Sequence, residues 1–428
     1  MARVLFGRAA LFAILLIWAV AQGAARAAVI QVAAGSDLQA AINGASEGDT
    51  LQLATGDYSG NIVVDRSLTL EGPEDRSANI IGERKGRTVW VKAEDVVVRK
   101  LTVRNSGLSL SDMDAGIFLD RSAHRALIEN NDVLDNSVGV YVWGPNEAVV
   151  RNNRIVGQSG LRLNERGNGV TIWNSPGSKI LNNHISEGRD GIYSNVSRNN
   201  EFRGNHFEHV RYAVHYMYTN DSEVSDNVSR GNEIAYALMF SRNLTVRNNI
   251  GLGNSDQGLM FNGTQQSVVE HNVLGGGSRC VFMYNANYNQ LTGNVFQNCE
   301  TGVHFTAGSE GNEIVENAFI NNQTQVKYVG TRDLEWSVDG RGNYWSDMSA
   351  FDLNGDGIGD TAYRPNGIID QVIWRAPSAR LLLNSPAVSI VRWAQTQFPA
   401  ILPGGIIDSA PLMAIPNNPT LQKVEAMQ

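Results

Sequence analysis

Five side chains suited to a soft metal ion recur through the middle of this chain: His215, Met217, Met239, Met260 and His304. Thioether and imidazole together select Cu(I), whereas hard cations take oxygen. Methionines are also not what a solvated strand face normally carries. The alternative reading is an apolar stripe covered by a partner protein or a loop. A second candidate is oxygen-rich. Asp352-Leu353-Asn354-Gly355-Asp356-Gly357-Ile358-Gly359-Asp360 has the D-x-N-x-D-G-x-x-D spacing of calcium loops, in which Asp352, Asn354, Asp356 and Asp360 would converge on Ca2+. Tyr363 stands where an EF-hand carries its bidentate Glu, so weak Ca2+ binding or a metal-free Asx turn is expected.

Covalent catalysis has no signature here, because the histidines are scattered and G-x-S-x-G is absent. Arg375 to Arg380 matches an R-x-P-x-x-R pattern of pectate lyases, but beyond the last repeat and not on a repeat face.

Whether the soft ligands meet depends on a repeat. Asparagine recurs at Asn131, Asn153, Asn183, Asn205, Asn227, Asn249, Asn272, Asn294 and Asn317, spaced by 22 or 23 residues with one interval of 30. Typically eight residues later comes a small residue and a short strand, such as Gly139-Val140-Tyr141-Val142 or Gly302-Val303-His304-Phe305. Period-2 strands of about five residues, broken by Asn and Gly, leave no room for a helix between them. The expectation is an all-β fold: a single-stranded right-handed parallel β-helix, a solenoid of about 22-residue coils. Stacked about 4.8 Å apart, the coils align the asparagines in an internal ladder at a bend that tolerates left-handed backbone.

Alternation then defines the outward face. One column reads Phe118, Tyr141, Thr171, Tyr193, His215, Met239, Met260, Phe282, His304, Lys327, and the next reads Asp120, Trp143, Trp173, Asn195, Met217, Ser241, Asn262, Tyr284, Thr306. In this register Met239 lies one coil above His215, with Met217 beside it, Met260 next, and His304 as a separate position. The phase around Ala237 is open by two residues, and either choice leaves Met239 outward. His184 and His206 also stack, which packing at the bend explains.

Three regions follow. Residues 1–27 read as a signal peptide, with Arg3 and Arg8 before an apolar run and Ala25-Arg26-Ala27 as the cleavage site. Residues 28–340 form the β-helix, opening with a short amphipathic capping helix from Ser36 to Ile42 and interrupted by a loop from Gly157 to Asn168. Residues 341–428 form an extension carrying the acidic loop and a helix from Ala387 to Phe398 that caps the stack or docks a partner. No segment after the signal is long and apolar enough to span a membrane. A formal charge of -8 argues against a nucleic-acid partner. Cys280 and Cys299, the two cysteines, suit a disulfide or a packed thiol pair equally.

The tail carries a resemblance. Gly342-Asn343-Tyr344-Trp345-Ser346-Asp347, the acidic loop, Tyr363-Arg364-Pro365-Asn366, Leu381 to Pro386, Arg392-Trp393-Ala394-Gln395 and Asp408 to Leu412 follow in an order similar to the NosD family. The stretch from Tyr363 to Leu412 discriminates best. The resemblance covers nearly the whole chain after the signal. It implies a periplasmic, non-enzymatic accessory that assembles the copper sites of nitrous oxide reductase in denitrification, with a membrane ABC transporter and a copper chaperone lipoprotein. It fixes no ligand residues. The alternative on the same fold is a polysaccharide lyase or C5-epimerase.

Overall fold

The computed structural model describes residues 27–306, 308–330, 332–382, 385–398 and 404–426. The expected signal segment lies outside them except for Ala27. Three parallel sheets run along a solenoid, and each coil gives one strand to each. In one coil Leu127–Glu129 joins the first sheet, Asp132–Leu134 the second and Val138–Trp143 the third. The first and second sheets have 13 described strands and the third has 12.

The asparagines set the phase. Asn131 Nδ2 donates to Asn153 Oδ1 at 3.0 Å, and the same bond continues coil by coil at 2.9–3.0 Å through Asn183, Asn205, Asn227, Asn249, Asn272, Asn294 and Asn317 to Asn343. Each Oδ1 also accepts the backbone N–H of the asparagine one coil earlier. The ladder therefore gains a tenth member, and all ten are buried. The left-handed residue is the one before the ladder asparagine in every rung but the last, among them Asn152, Gly204, Asp226 and His271. The ladder residue keeps ordinary backbone so that its amide points inward.

Inside the coil each sheet contributes one stacked column. The first reads Ile128, Val150, Ile180, Phe202, Val224, Val246, Val269, Leu291, Ile314, none more than 1% exposed. A buried side chain of this size stabilises by about 1.5–3 kcal/mol, which offsets the ordering of such short strands. In one coil the second sheet instead turns Gly251 inward after Ser229. Tyr236 from the third sheet fills that space, and its hydroxyl donates to the carbonyls of Asn227 and Ile250, both at 3.0 Å.

Helix α1 (Leu38–Gly44) starts where the side chain of Asp37 accepts the N–H of Ala40, and it buries Leu38 and Ile42 at the first coils. The insertion forms an exposed loop with a short 3-10 turn at Leu163–Glu165. Cys280 and Cys299 are joined in a disulfide, which suits an oxidising compartment. The last strand of the second sheet is Tyr344–Trp345, a few residues past 340.

The extension adds α2 (Ile368–Arg375), α3 (Pro386–Gln397) and α4 (Pro419–Ala426). Its closure is specific. Trp345 stacks on Phe319 and Tyr363, with ring centroids 4.2 and 4.7 Å away. The buried Asp408 carboxylate accepts the Asn343 N–H and the Trp345 indole N–H, each at 2.7 Å. A side chain at Gly342 would collide with that carboxylate. Helix α4 lays Val424 on Ile250, Val273, Val295 and Ala318 outside the second sheet.

Removing one ladder rung tests this account. Asn227→Ala orphans the Asn205 backbone N–H and one of its amide hydrogens. Roughly 1–3 kcal/mol should be lost for each, read as a lower denaturant midpoint. A midpoint equal to that of the parent would mean that the ladder is not what holds the phase.

Candidate metal site

Strand pairing in the third sheet fixes the outward columns. The first runs Phe118, Tyr141, Thr171, Tyr193, His215, Ala237, Met260, Phe282, His304, Lys327. The second runs Trp143, Trp173, Asn195, Met217, Met239, Asn262, Tyr284. Met239 thus belongs beside Met217, and Ala237 occupies the place above His215 that the sequence reading gave to Met239. The physical cause is Tyr236. Because an aromatic residue points inward there, the small residue that opens the strand is Ala235, two positions earlier than the pattern suggested.

The correction tightens the group. Ala237 has His215 one rung below it and Met260 one rung above it in its own column. Met239 follows it by two residues on the same face, and Met217 is diagonal to it. Rungs are about 4.8 Å apart and same-face neighbours on a strand about 6.6 Å. Four soft donors therefore ring one alanine, which is itself 0% exposed. All four are partly buried. Thioethers on three rotatable bonds over so short a span could share one ion.

His215 is held from behind. Its Nδ1 lies 2.9 Å from Asp190 Oδ2, in a side-chain pair that is 12% and 0% exposed. Arg211 donates twice to the same carboxylate, at 2.8 Å each. Burial would raise the Asp190 pKa, but the hydrogen bonds and charges of His215 and Arg211 outweigh it and lower it overall. An ionised acceptor makes Nδ1 the donor and leaves Nε2 as the ring nitrogen open to a ligand. This is the carboxylate–histidine arrangement that orients metal-bound imidazoles. Tyr193 and Tyr212 flank the ring at 5.0 Å.

The sequence reading missed Asp190 and Arg211. They are 21 residues apart, one coil, which is a phase signal that a search for charged pairs could have used.

His304 stands apart. Phe282 separates it from Met260, and Lys327 occupies the rung above. Burial, then Lys327 and Arg279, push its pKa down to about 4. Cations on two sides oppose a third.

Asp352, Asn354, Asp356 and Asp360 share one exposed loop, where Asp352 accepts the N–H groups of Gly355, Asp356 and Gly357 and Asp360 accepts that of Leu353. The stacked pair His184 and His206 lies exposed on strands of the second sheet, and not in bend packing. Among the described residues no group of three His, Cys, Asp or Glu converges as a metal site, so a thioether-based group is the candidate.

The family model described as "Periplasmic copper-binding protein (NosD)" matches residues 76–165 and 152–350. Two relatives are each named "Probable ABC transporter binding protein NosD". That of Stutzerimonas stutzeri is 37% identical over 86% of this chain and 88% of its own length. That of Pseudomonas aeruginosa is 38% identical over 85% and 88%. Among solved structures, the mannuronan C-5 epimerase A-module of Azotobacter vinelandii matches with TM-score 0.55 and 18% identity, covering 73% of this chain and 94% of its own. The family 28 exopolygalacturonase of Yersinia enterocolitica matches with TM-score 0.53 and 11% identity, covering 71% and 77%. At these identities the two share the parallel β-helix fold. Among the described residues no helix is long and apolar enough to cross a membrane.

Asp190→Asn keeps the shape but leaves the partly exposed Arg211 beside a neutral amide. Because water still reaches the guanidinium, it should cost roughly 1–3 kcal/mol at pH 7. Because the folded-state pKa of Asp190 is depressed, the deficit is complete above the unfolded value near 3.9 and shrinks as pH falls through the folded one. Denaturant melts of parent and variant from pH 7 to pH 3 measure this, and a deficit independent of pH would refute it.

Proposed function

The chain belongs to the NosD family of periplasmic copper-binding proteins, and on that premise we propose that it takes up Cu(I) as cargo in the periplasm, at His215, Met217, Met239 and Met260, and passes it on while docked to a membrane ABC transporter. One observation carries the reading: three thioethers and an imidazole surround Ala237, and Asp190 takes up the Nδ1 edge of His215. Such donors suit Cu(I) and not a hard cation. The role we assign is assembly of the copper sites of nitrous oxide reductase, with the metal received from a lipoprotein chaperone and no reaction catalysed on the coil face.

Docking to the transporter is assigned to the tail helices. Leu381, Ile390, Trp393 and Phe398 are 90%, 64%, 61% and 59% exposed, an apolar concentration of the kind that marks an interface. The names of the two relatives support this partner.

A second reading has one observation in its favour. His215, held by Asp190 between two tyrosines, has the form of an acid–base group on a fold shared with polysaccharide enzymes. Burial raises the pKa of both Tyr193 and Tyr212, which keeps both phenols protonated and leaves His215 as the group that would accept a proton. Turnover of alginate or pectin by the purified protein would favour this alternative.

Cu(I) titration against a competing chelator is the principal test. The parent should bind, the Met217→Ala/Met239→Ala variant at least tenfold more weakly, and Asp190→Asn about 10–100-fold more weakly. Equal affinity in all three would sink the assignment. Ile390→Asp should lose co-purification with the transporter while melting like the parent, and retained co-purification would move the docking face elsewhere.

A further inference from the structure

The column that carries His215 changes chemistry at its C-terminal end. There helix α2 crosses the third sheet, and Ile373 and Trp374 roof a cleft of about 350 Å³ over His304 and Lys327. Lys327 has no carboxylate within 4.0 Å among the described residues, although it is only partly exposed. Arg279 lends Nη1 to Asp256 at 3.0 Å and also lines the cleft. Thr301 and Thr324, one rung apart, add hydroxyls from the neighbouring column. With its pKa near 4, His304 is a neutral ring that can donate one N–H.

Two cations, a neutral donor and two hydroxyls converge, so a cation is excluded and an anion is favoured. The ring of Trp374 and the side chain of Ile373 offer apolar surface, which an inorganic oxyanion does not use. Glu300, exposed at the mouth, disfavours a second negative charge close to the first.

We propose that this cleft binds a small organic carboxylate, with its anionic group on Lys327 and Arg279 and its carbon skeleton against α2. The site is distinct from the four soft donors, and its proposal stands without the copper reading. A carboxylate here would tie α2, and so the tail, to the last coils.

Calorimetric titration of the purified protein with acetate, butyrate and inorganic phosphate tests the site. Saturable binding of butyrate is expected, tighter than that of acetate or phosphate. Lys327→Gln should weaken it at least about tenfold, as loss of a charge-assisted bond requires, and Thr324→Val should weaken it less. Both variants should melt like the parent, and Lys327→Gln should take up Cu(I) as the parent does. No saturable butyrate binding, phosphate binding tighter than butyrate, or an unaffected Lys327→Gln would each overturn the proposal.

Discussion

The buried amide ladder is the interaction on which the rest of this molecule depends. A coil of three short strands has few backbone bonds of its own, and every strand pairs only with its counterparts above and below. Nothing in such pairing forbids a slip of one coil against the next. An asparagine amide can donate to the next amide and to an inner carbonyl while accepting a backbone N–H, and it does all three only when the coils are in phase. Out of phase, these groups would be buried and unpaired, at a cost of about 1–3 kcal/mol each. The ladder thereby turns sequence spacing into position, and every outward column inherits its order from it.

This is why most of the fold was legible in the chain. Spacing gave the coils, the small residues gave the starts of the third-sheet strands, and alternation gave the face. The one failure of phase has a particular cause. A pattern reader expects an aliphatic residue inward, whereas Tyr236 enters the core because Ser229 and Gly251 leave room and two carbonyls satisfy its hydroxyl. The compensation lies in other strands, so no local feature around Tyr236 announces it. The disulfide was undecided for a similar reason, since three residues of phase separate its cysteines and only the turn geometry brings their Cα atoms to 5.8 Å.

The candidate site was legible in its donors and not in its support. His215, Met217, Met239 and Met260 stand out by residue type alone. Asp190 does not, because a carboxylate before a glycine reads as a turn residue. In the fold it is fully buried, and only the two partners one coil later account for that. Such support is what separates a poised ligand from a solvent-facing histidine like His184 or His206, which the described residues leave exposed.

The two histidines of the outward column show how charge divides one surface into different chemistries. Both are partly buried imidazoles on the same strand position, and residue type alone would treat them alike. A unit charge about 5 Å away acts with about 3 kcal/mol at an effective dielectric near 20, roughly two orders of magnitude in affinity. At His304 that charge is Lys327, which has no carboxylate partner within 4.0 Å among the described residues, while Arg279 beside it is paired with Asp256. At His215 the nearby guanidinium of Arg211 is already spent on Asp190, so the imidazole faces a neutralised pair and three thioethers. On the proposed reading, the same scaffold offers a soft cation a place at the middle of the face and denies it one at the end, where the tail helix lines a basic cleft.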